Sequence, residues 1–318
     1  MSSPTFRAGL QIPNFNLPGA EPADLLERLT AIAHAAESSG FDSLYVMDHL
    51  HQIRGVGPEE NWMLEGPTTL GALAARTSRI HLGLMVGGIT YRNPALMAKI
   101  TTTIDVLSGG RAILGIGAAW NDSEHKAYGY EFPPLKVRFE LLEDGLRIMR
   151  AMFTEERATV QGTHSHVDQA YNNPKVRGDI PILIGGSGEK KTLRLVAQYA
   201  DASNVFGDVE RIKHLMGVID AHCADVGRDP SEISRTKLAT LVLGDTQAEA
   251  EAKVAPMREA IDPDSFNRLA LYGDRDSVAE QLAANREAGL TGVIVNMPEV
   301  SDLDQVKAAG ELIAAAFA

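Results

Sequence analysis

Ile180-Pro181-Ile182-Leu183-Ile184, Gly185-Gly186-Ser187-Gly188, then Glu189 to Ala200 with apolar residues at helical spacing, then Asp201-Ala202-Ser203-Asn204-Val205: the reading of this stretch decides the fold. A short apolar run ends in a glycine-rich turn, and an amphipathic helix leads into a second short run. The pattern is one turn of a β/α repeat. Glycines let the backbone approach a ligand closely, Ser187 adds a hydroxyl, and the first turn of a helix offers unpaired N–H groups. Such a turn either holds an anion, most often phosphate, or is a tight strand-to-helix loop with no ligand. Lys190, Lys191 and Arg194 add positive charge nearby or are simply solvated.

The same alternation extends in both directions. Apolar runs at Phe6–Ile12, Ser43–Met47, Ile80–Val86, Ala112–Gly117, Ala202–Phe206, Thr236–Leu243 and Gly292–Met297 join the run at Ile180 to make eight strands. Helical patterns follow them, as at Pro22–Ser39, where Leu25, Leu29, Ile32 and Ala36 share a face and Gly40 ends the helix. Pro94 opens another helix and Gly109-Gly110 closes it, the expected asymmetry of helix ends. Eight strand–helix units without a second compositional domain predict a single (β/α)8 TIM barrel over 1–318. An open doubly wound sheet is the runner-up. Between strands four and five, residues of about 121–179 carry a long helix and a polar stretch, read as an insertion.

The 318 residues are 44% hydrophobic with a formal net charge of -12, so a large core is available and a nucleic-acid or anionic-membrane surface is not expected. The single cysteine, Cys223, excludes an internal disulfide and a cysteine metal cluster. No run approaches the roughly 18 apolar residues that read as a membrane span, and the N-terminus has no apolar signal core, so the expected location is cytoplasmic.

In a barrel, chemistry sits at the carboxyl ends of the strands. Strand two ends in Asp48-His49, a titratable pair suited to holding a ring or moving a proton, or else a structural turn. Strand three ends in Gly87-Gly88-Ile89, where paired glycines suggest a bulge or close approach to a ligand. Strand four tapers into Gly117-Ala118-Ala119-Trp120, leaving space for a planar ligand that Trp120 can wall. His49-x-His51 and His164-x-His166 lack further ligands at metal spacing, so no metal is expected.

Four ordered motifs carry a family resemblance: Phe41-Asp42-Ser43-Leu44-Tyr45-Val46-Met47-Asp48-His49, Tyr91-Arg92-Asn93-Pro94-Ala95, Ser108-Gly109-Gly110-Arg111 through Trp120-Asn121, and Ile182 through Gly188. The chain resembles the bacterial luciferase-like superfamily, and within it the coenzyme F420-dependent oxidoreductases of actinobacterial type. The resemblance implies a barrel, usually a homodimer, that binds F420 at its carboxyl face and passes a hydride to or from a small organic substrate. It implies that Asp48, His49, Gly117, Ala118, Trp120, Gly185 and Asn204 lie around the ring, with His49 as the catalytic group. It also implies a cis peptide at Gly88-Ile89, and a phosphate loop at Gly186, Ser187 and Gly188. The alternatives are an FMN-dependent luciferase-like monooxygenase and a non-catalytic flavin-binding protein of the same fold. Related sugar-phosphate dehydrogenases carry a catalytic glutamate where this chain has Ala118; Glu124 and His125 are close by in sequence.

Overall fold

Eight parallel strands close on themselves in the computed structural model of the chain, which describes residues 6–260 and 263–318. They are β1 (Ala8–Ile12), β2 (Ser43–Val46), β3 (His81–Leu84), β4 (Ala112–Gly117), β5 (Ile182–Gly185), β6 (Ala202–Val205), β7 (Ser234–Leu243) and β8 (Gly292–Asn296). Each pairs with the next, and β8 pairs with β1 through Ala8↔Val293 to Gln11↔Asn296. The chain is therefore a closed (β/α)8 barrel, and the open-sheet alternative is excluded.

Apolar residues on both faces of each strand bury the sheet on its inner and outer sides. Tyr45, Ile113, Leu183, Ala202 and Ile294 point inward and pack with Phe6 and Met85 inside the barrel. Their strand neighbours Leu44, Val46, Leu114, Ile182, Ile184, Val293 and Val295 point outward and bury against the helices. The helices that follow the strands are capped by their own sequence. Asn93 accepts from the Ala95 amide at 2.9 Å ahead of Pro94, and Gly109 closes that helix at φ 71°.

Residues 121–179 hold a short helix (Asp122–Tyr128), the helix Leu135–Thr154 and an antiparallel hairpin (Arg157–Gln161 with His166–Tyr171). The Leu135–Thr154 helix packs between Pro94–Ser108 and Thr192–Tyr199, so it belongs to the outer ring of helices. His164 pairs with Glu140 at 2.8 Å on this helix, and no group of three or more metal-ligating side chains occurs among the described residues. A short strand, Ala270–Gly273, extends the sheet beside β7. No helix among the described residues is long and apolar enough to cross a membrane.

Two expectations need correction. The non-proline cis peptide lies at Met85-Val86, not at Gly88-Ile89. The paired glycines do not form the break in the strand. They resume it as a two-residue extended segment, Gly87↔Ile116 and Gly88↔Gly117, so the irregular bond falls between that segment and β3. The helix after β5 begins at Thr192 rather than Glu189, because Glu189 to Lys191 turn before the Leu195 amide donates to Lys191 O at 3.0 Å.

Backbone contact at β4 is close enough to require glycine. A Cβ on Gly115 would stand 1.9 Å from the Leu84 carbonyl oxygen. Gly115→Ala therefore forces two barrel strands apart, and we expect a destabilisation of about 1–3 kcal/mol or more in denaturant unfolding. An unchanged unfolding midpoint would show that the β3 end yields freely.

Candidate functional site

At the carboxyl ends of the strands lies a cavity of about 310 Å³. Its walls include Asp48 and His49 after β2, Val86 to Gly88 after β3, Gly117 to Asn121 after β4, Gly185 and Gly186 after β5, and Asn204 on β6. Leu135, Phe139, Phe206 and Leu238 add an apolar side. Nine of the sequence-derived positions are thus brought together: Asp48, His49, Gly88, Gly117, Ala118, Trp120, Gly185, Gly186 and Asn204. Gly186 and Phe206 also border a second cavity of about 700 Å³ that includes Ser187, Asp208 and Arg211. The two spaces adjoin at the glycine-rich turn.

Two positions stand elsewhere. Ile89 is buried against the Leu135–Thr154 helix, where a Cβ on Gly145 would come within 2.6 Å of its Cδ1. Gly188 follows Ser187 at the exposed end of the turn and is not among the residues lining either cavity, and its carbonyl accepts from the Leu193 amide at 3.0 Å. The Ser187 hydroxyl accepts from the Phe206 amide at 2.8 Å, so it ties the loop to β6. Among the described residues, the amides of Ser187 and Gly188 have no acceptor.

The expected pairing of Asp48 with His49 does not occur. Asp48 Oδ2 accepts from Arg92 Nη1 at 2.7 Å and from the Gly88 amide at 3.0 Å, while Oδ1 is buried without a partner. Burial pushes the Asp48 carboxyl up despite the Arg92 guanidinium beside it. His49 faces the other way. Its Nδ1 lies 2.8 Å from Glu124 Oε2, and its ring meets Trp120 edge-on at 5.5 Å. Side chains of adjacent residues leave an extended backbone on opposite sides, so neighbours in sequence take different partners.

Glu124 is the residue that sequence reading did not place. It is fully buried on the Asp122–Tyr128 helix. Oε2 also accepts from Tyr91 Oη at 2.5 Å and from Asn121 Nδ2 at 3.4 Å, and Oε1 accepts from the amides of Leu50 and His51. Burial alone would push the carboxyl up. The bonds from His49, Tyr91 and Leu50 outweigh it and bring the pKa down to about 2. The only hint in the sequence was its place one turn beyond Trp120.

The sign of that shift gives a pH prediction. A depressed folded pKa supplies stability that is complete above the ordinary 4.5 and is lost as pH falls toward 2. In thermal melts, the deficit of Glu124→Gln relative to the parent should be constant near neutrality and shrink below pH 4.5. A deficit independent of pH over that window would mean that the ionised form is not what the fold uses.

The end of β4 is held in place by the long helix. Ala119 takes φ 60°, uncommon for a residue with a side chain, and Arg138 Nη1 donates to the carbonyls of Ala118 and Ala119. Asn204 Nδ2 donates to Thr236 Oγ1 at 2.9 Å, and Asn204 O accepts from the Gly186 amide at 2.9 Å. Beside the second cavity, Lys237 is buried, its ammonium donating to Gly207 O at 2.7 Å and to Arg268 O at 3.2 Å. Burial pulls its pKa down to about 8, against the opposing pull of Asp208.

Comparison with known proteins follows the same outline. Residues 6–263 match the luciferase-like monooxygenase family. An F420-dependent glucose-6-phosphate dehydrogenase of Segniliparus rotundus is 30% identical over 308 residues, which cover 87% of this chain and 88% of that protein. One of the same name from Amycolatopsis mediterranei is 32% identical over 180 residues, 56% of this chain and 50% of that one. Among solved structures, an F420-dependent secondary alcohol dehydrogenase in complex with an F420–acetone adduct superposes with a TM-score of 0.80. It is 20% identical, over 99% of both chains.

Proposed function

Since the chain belongs to the luciferase-like monooxygenase family, we propose that it is an F420-dependent oxidoreductase acting on a small organic substrate. The observation that carries this reading is the neighbouring pair of spaces: a slot walled by glycine-rich strand ends shares Gly186 and Phe206 with a second cavity, next to the Ser187 and Gly188 amides that donate to no acceptor among the described residues. A planar ring with a phosphate-bearing tail has that outline, and the unpartnered Asp48 Oδ1 supplies an acceptor in the ring slot. These features fit the cofactor of the Segniliparus rotundus relative.

When bound, F420 supplies the hydride donor or acceptor. This chain's residues do the rest. The amides of Ser187 and Gly188 bind the anionic part, and Gly186 gives the turn the backbone freedom to present them. Gly87, Gly88, Gly117 and Gly185 let backbone approach the ring, while Trp120, Leu135 and Phe206 shield the slot from water. His49 faces the slot with Nε2 and exchanges a proton with the reacting substrate. With Ala118 where the related dehydrogenases carry a glutamate, His49 is the side chain of this wall that we assign to proton handling. The glycine-lined slot supports a small-molecule substrate, and the net charge of -12 supports no nucleic-acid partner. We place the enzyme in the cytoplasm as a homodimer, as the family resemblance suggests.

FMN shares the ring and phosphate, so it is the comparison ligand. In parallel titrations of the purified protein, F420 is expected to bind at least about tenfold more tightly than FMN, a difference of about 1.4 kcal/mol. Equal binding, or tighter binding of FMN, would overturn the cofactor assignment.

A further inference from the structure

We infer that Glu124 is the positioning residue for His49: it holds the imidazole proton on Nδ1 and leaves Nε2 to face the cavity. The inference deepens the proposed proton exchange at His49 and rests on that reading for its catalytic meaning.

The geometry leaves little choice. Glu124 is fully buried and receives donors at both oxygens, so it stands as an ionised group that only accepts. Nδ1 at 2.8 Å must therefore carry a hydrogen. Asp48, the adjacent acid, commits Oδ2 to Arg92 and the Gly88 amide, and its Oδ1 has no hydrogen-bond partner, so it does not hold the His49 ring. The titratable groups whose contacts reach the His49–Glu124 pair are Tyr91, through its hydroxyl on Oε2, and His51, through its amide on Oε1, while Asp48 and Arg92 pair with each other. Trp120 closes the remaining edge. Among the described residues Nε2 has no partner, and His49 lines the cavity.

With Nδ1–H fixed, one position on the ring changes during the reaction. When Nε2 carries a proton, the N–H bond breaks as the substrate oxygen gains it, and the lone pair returns to Nε2 without reorientation of the ring. In the opposite direction the same lone pair takes the substrate hydroxyl proton. In either direction Glu124 keeps its own charge and never receives the proton. The arrangement is a carboxylate that orients a histidine, here supplied by a helix after β4 to a loop after β2.

Nitrogen-15 spectra of histidine-labelled protein without cofactor test the assignment, with His49→Ala identifying the resonances of His49 among the nine histidines. In its neutral form, His49 of the parent should show the Nδ1–H tautomer. Glu124→Gln should shift the population toward Nε2–H, since the carboxylate that accepts from Nδ1–H is gone. In the loaded enzyme, Glu124→Gln should lower kcat by about 10²-fold while cofactor affinity is kept. An Nε2–H tautomer in the parent, or a Glu124→Gln spectrum identical to the parent, overturns the inference. If Glu124→Gln does not fold, the parent tautomer alone decides. Nδ1–H in a protein that binds neither F420 nor FMN upholds Glu124 as the positioning group and rejects the proposed function instead.

Discussion

His49→Ala is expected to lower the single-turnover rate of hydride transfer by about 10²–10⁴-fold, the range that general acid–base groups contribute. The two ring nitrogens of His49 serve different partners. Nδ1 is committed to Glu124, and His49 lines the cavity wall. His49→Gln separates the roles. A glutamine amide can donate to Glu124 and present its oxygen to the cavity, yet it cannot take up a proton at neutral pH. Cofactor affinity should then persist in His49→Gln while turnover falls nearly as far as in His49→Ala. Equal single-turnover rates in His49→Ala and the parent would reject His49 as the proton-handling group.

The second large effect is expected at Gly186. Its φ of 125° lies in backbone space that side chains rarely adopt, and it stands where the ring slot meets the second cavity. A Cβ there would meet Thr192 Cγ2 at 3.4 Å, which is tolerable, so space around the residue is not the obstacle. The obstacle is conformational. Gly186→Val either costs about 1–3 kcal/mol in strain or rotates the turn and misaligns the Ser187 and Gly188 amides. We expect cofactor binding to weaken about 10²-fold or more, which corresponds to about 2.7 kcal/mol, with a smaller loss of thermal stability. Native affinity in folded Gly186→Val would remove the turn from the binding site.

The barrel was legible because its strands are short apolar runs punctuated by glycine, and because helix-period patterns sit between them. Closure was not, since pairing of β8 with β1 joins residues nearly 300 positions apart and leaves no local mark. The strand ends were legible as a set for the same reason that the barrel was: in this architecture they converge whatever their separation in sequence. Partner choice inside the set was the part that failed. Asp48 and His49 look like a couple because they are adjacent, and they diverge because an extended chain sends neighbours to opposite sides. Their true partners, Arg92 and Glu124, stand 44 and 75 residues away. The glycine pair misled in a similar way. Gly87 and Gly88 advertise irregular backbone, yet they are the regular part, and Met85-Val86 is the irregular one. Ala270–Gly273 escaped notice because four residues beside a longer strand carry too little pattern to separate them from a loop.

Trp120, with 63% of its surface exposed, stands at the mouth of the cavity with its ring edge-on to His49. The chain has one other indole, Trp62, which packs partly buried against the core and outside the cavity wall. Intrinsic emission from this protein is therefore a sum of two sources in different surroundings, one solvated at the entrance and one set in the body of the fold. Occupancy of the slot by an absorbing ring would quench the solvated source first, leaving the blue-shifted remainder as an internal reference. Substituting Trp62→Phe would then turn the entrance into a label-free optical gauge of what enters and leaves.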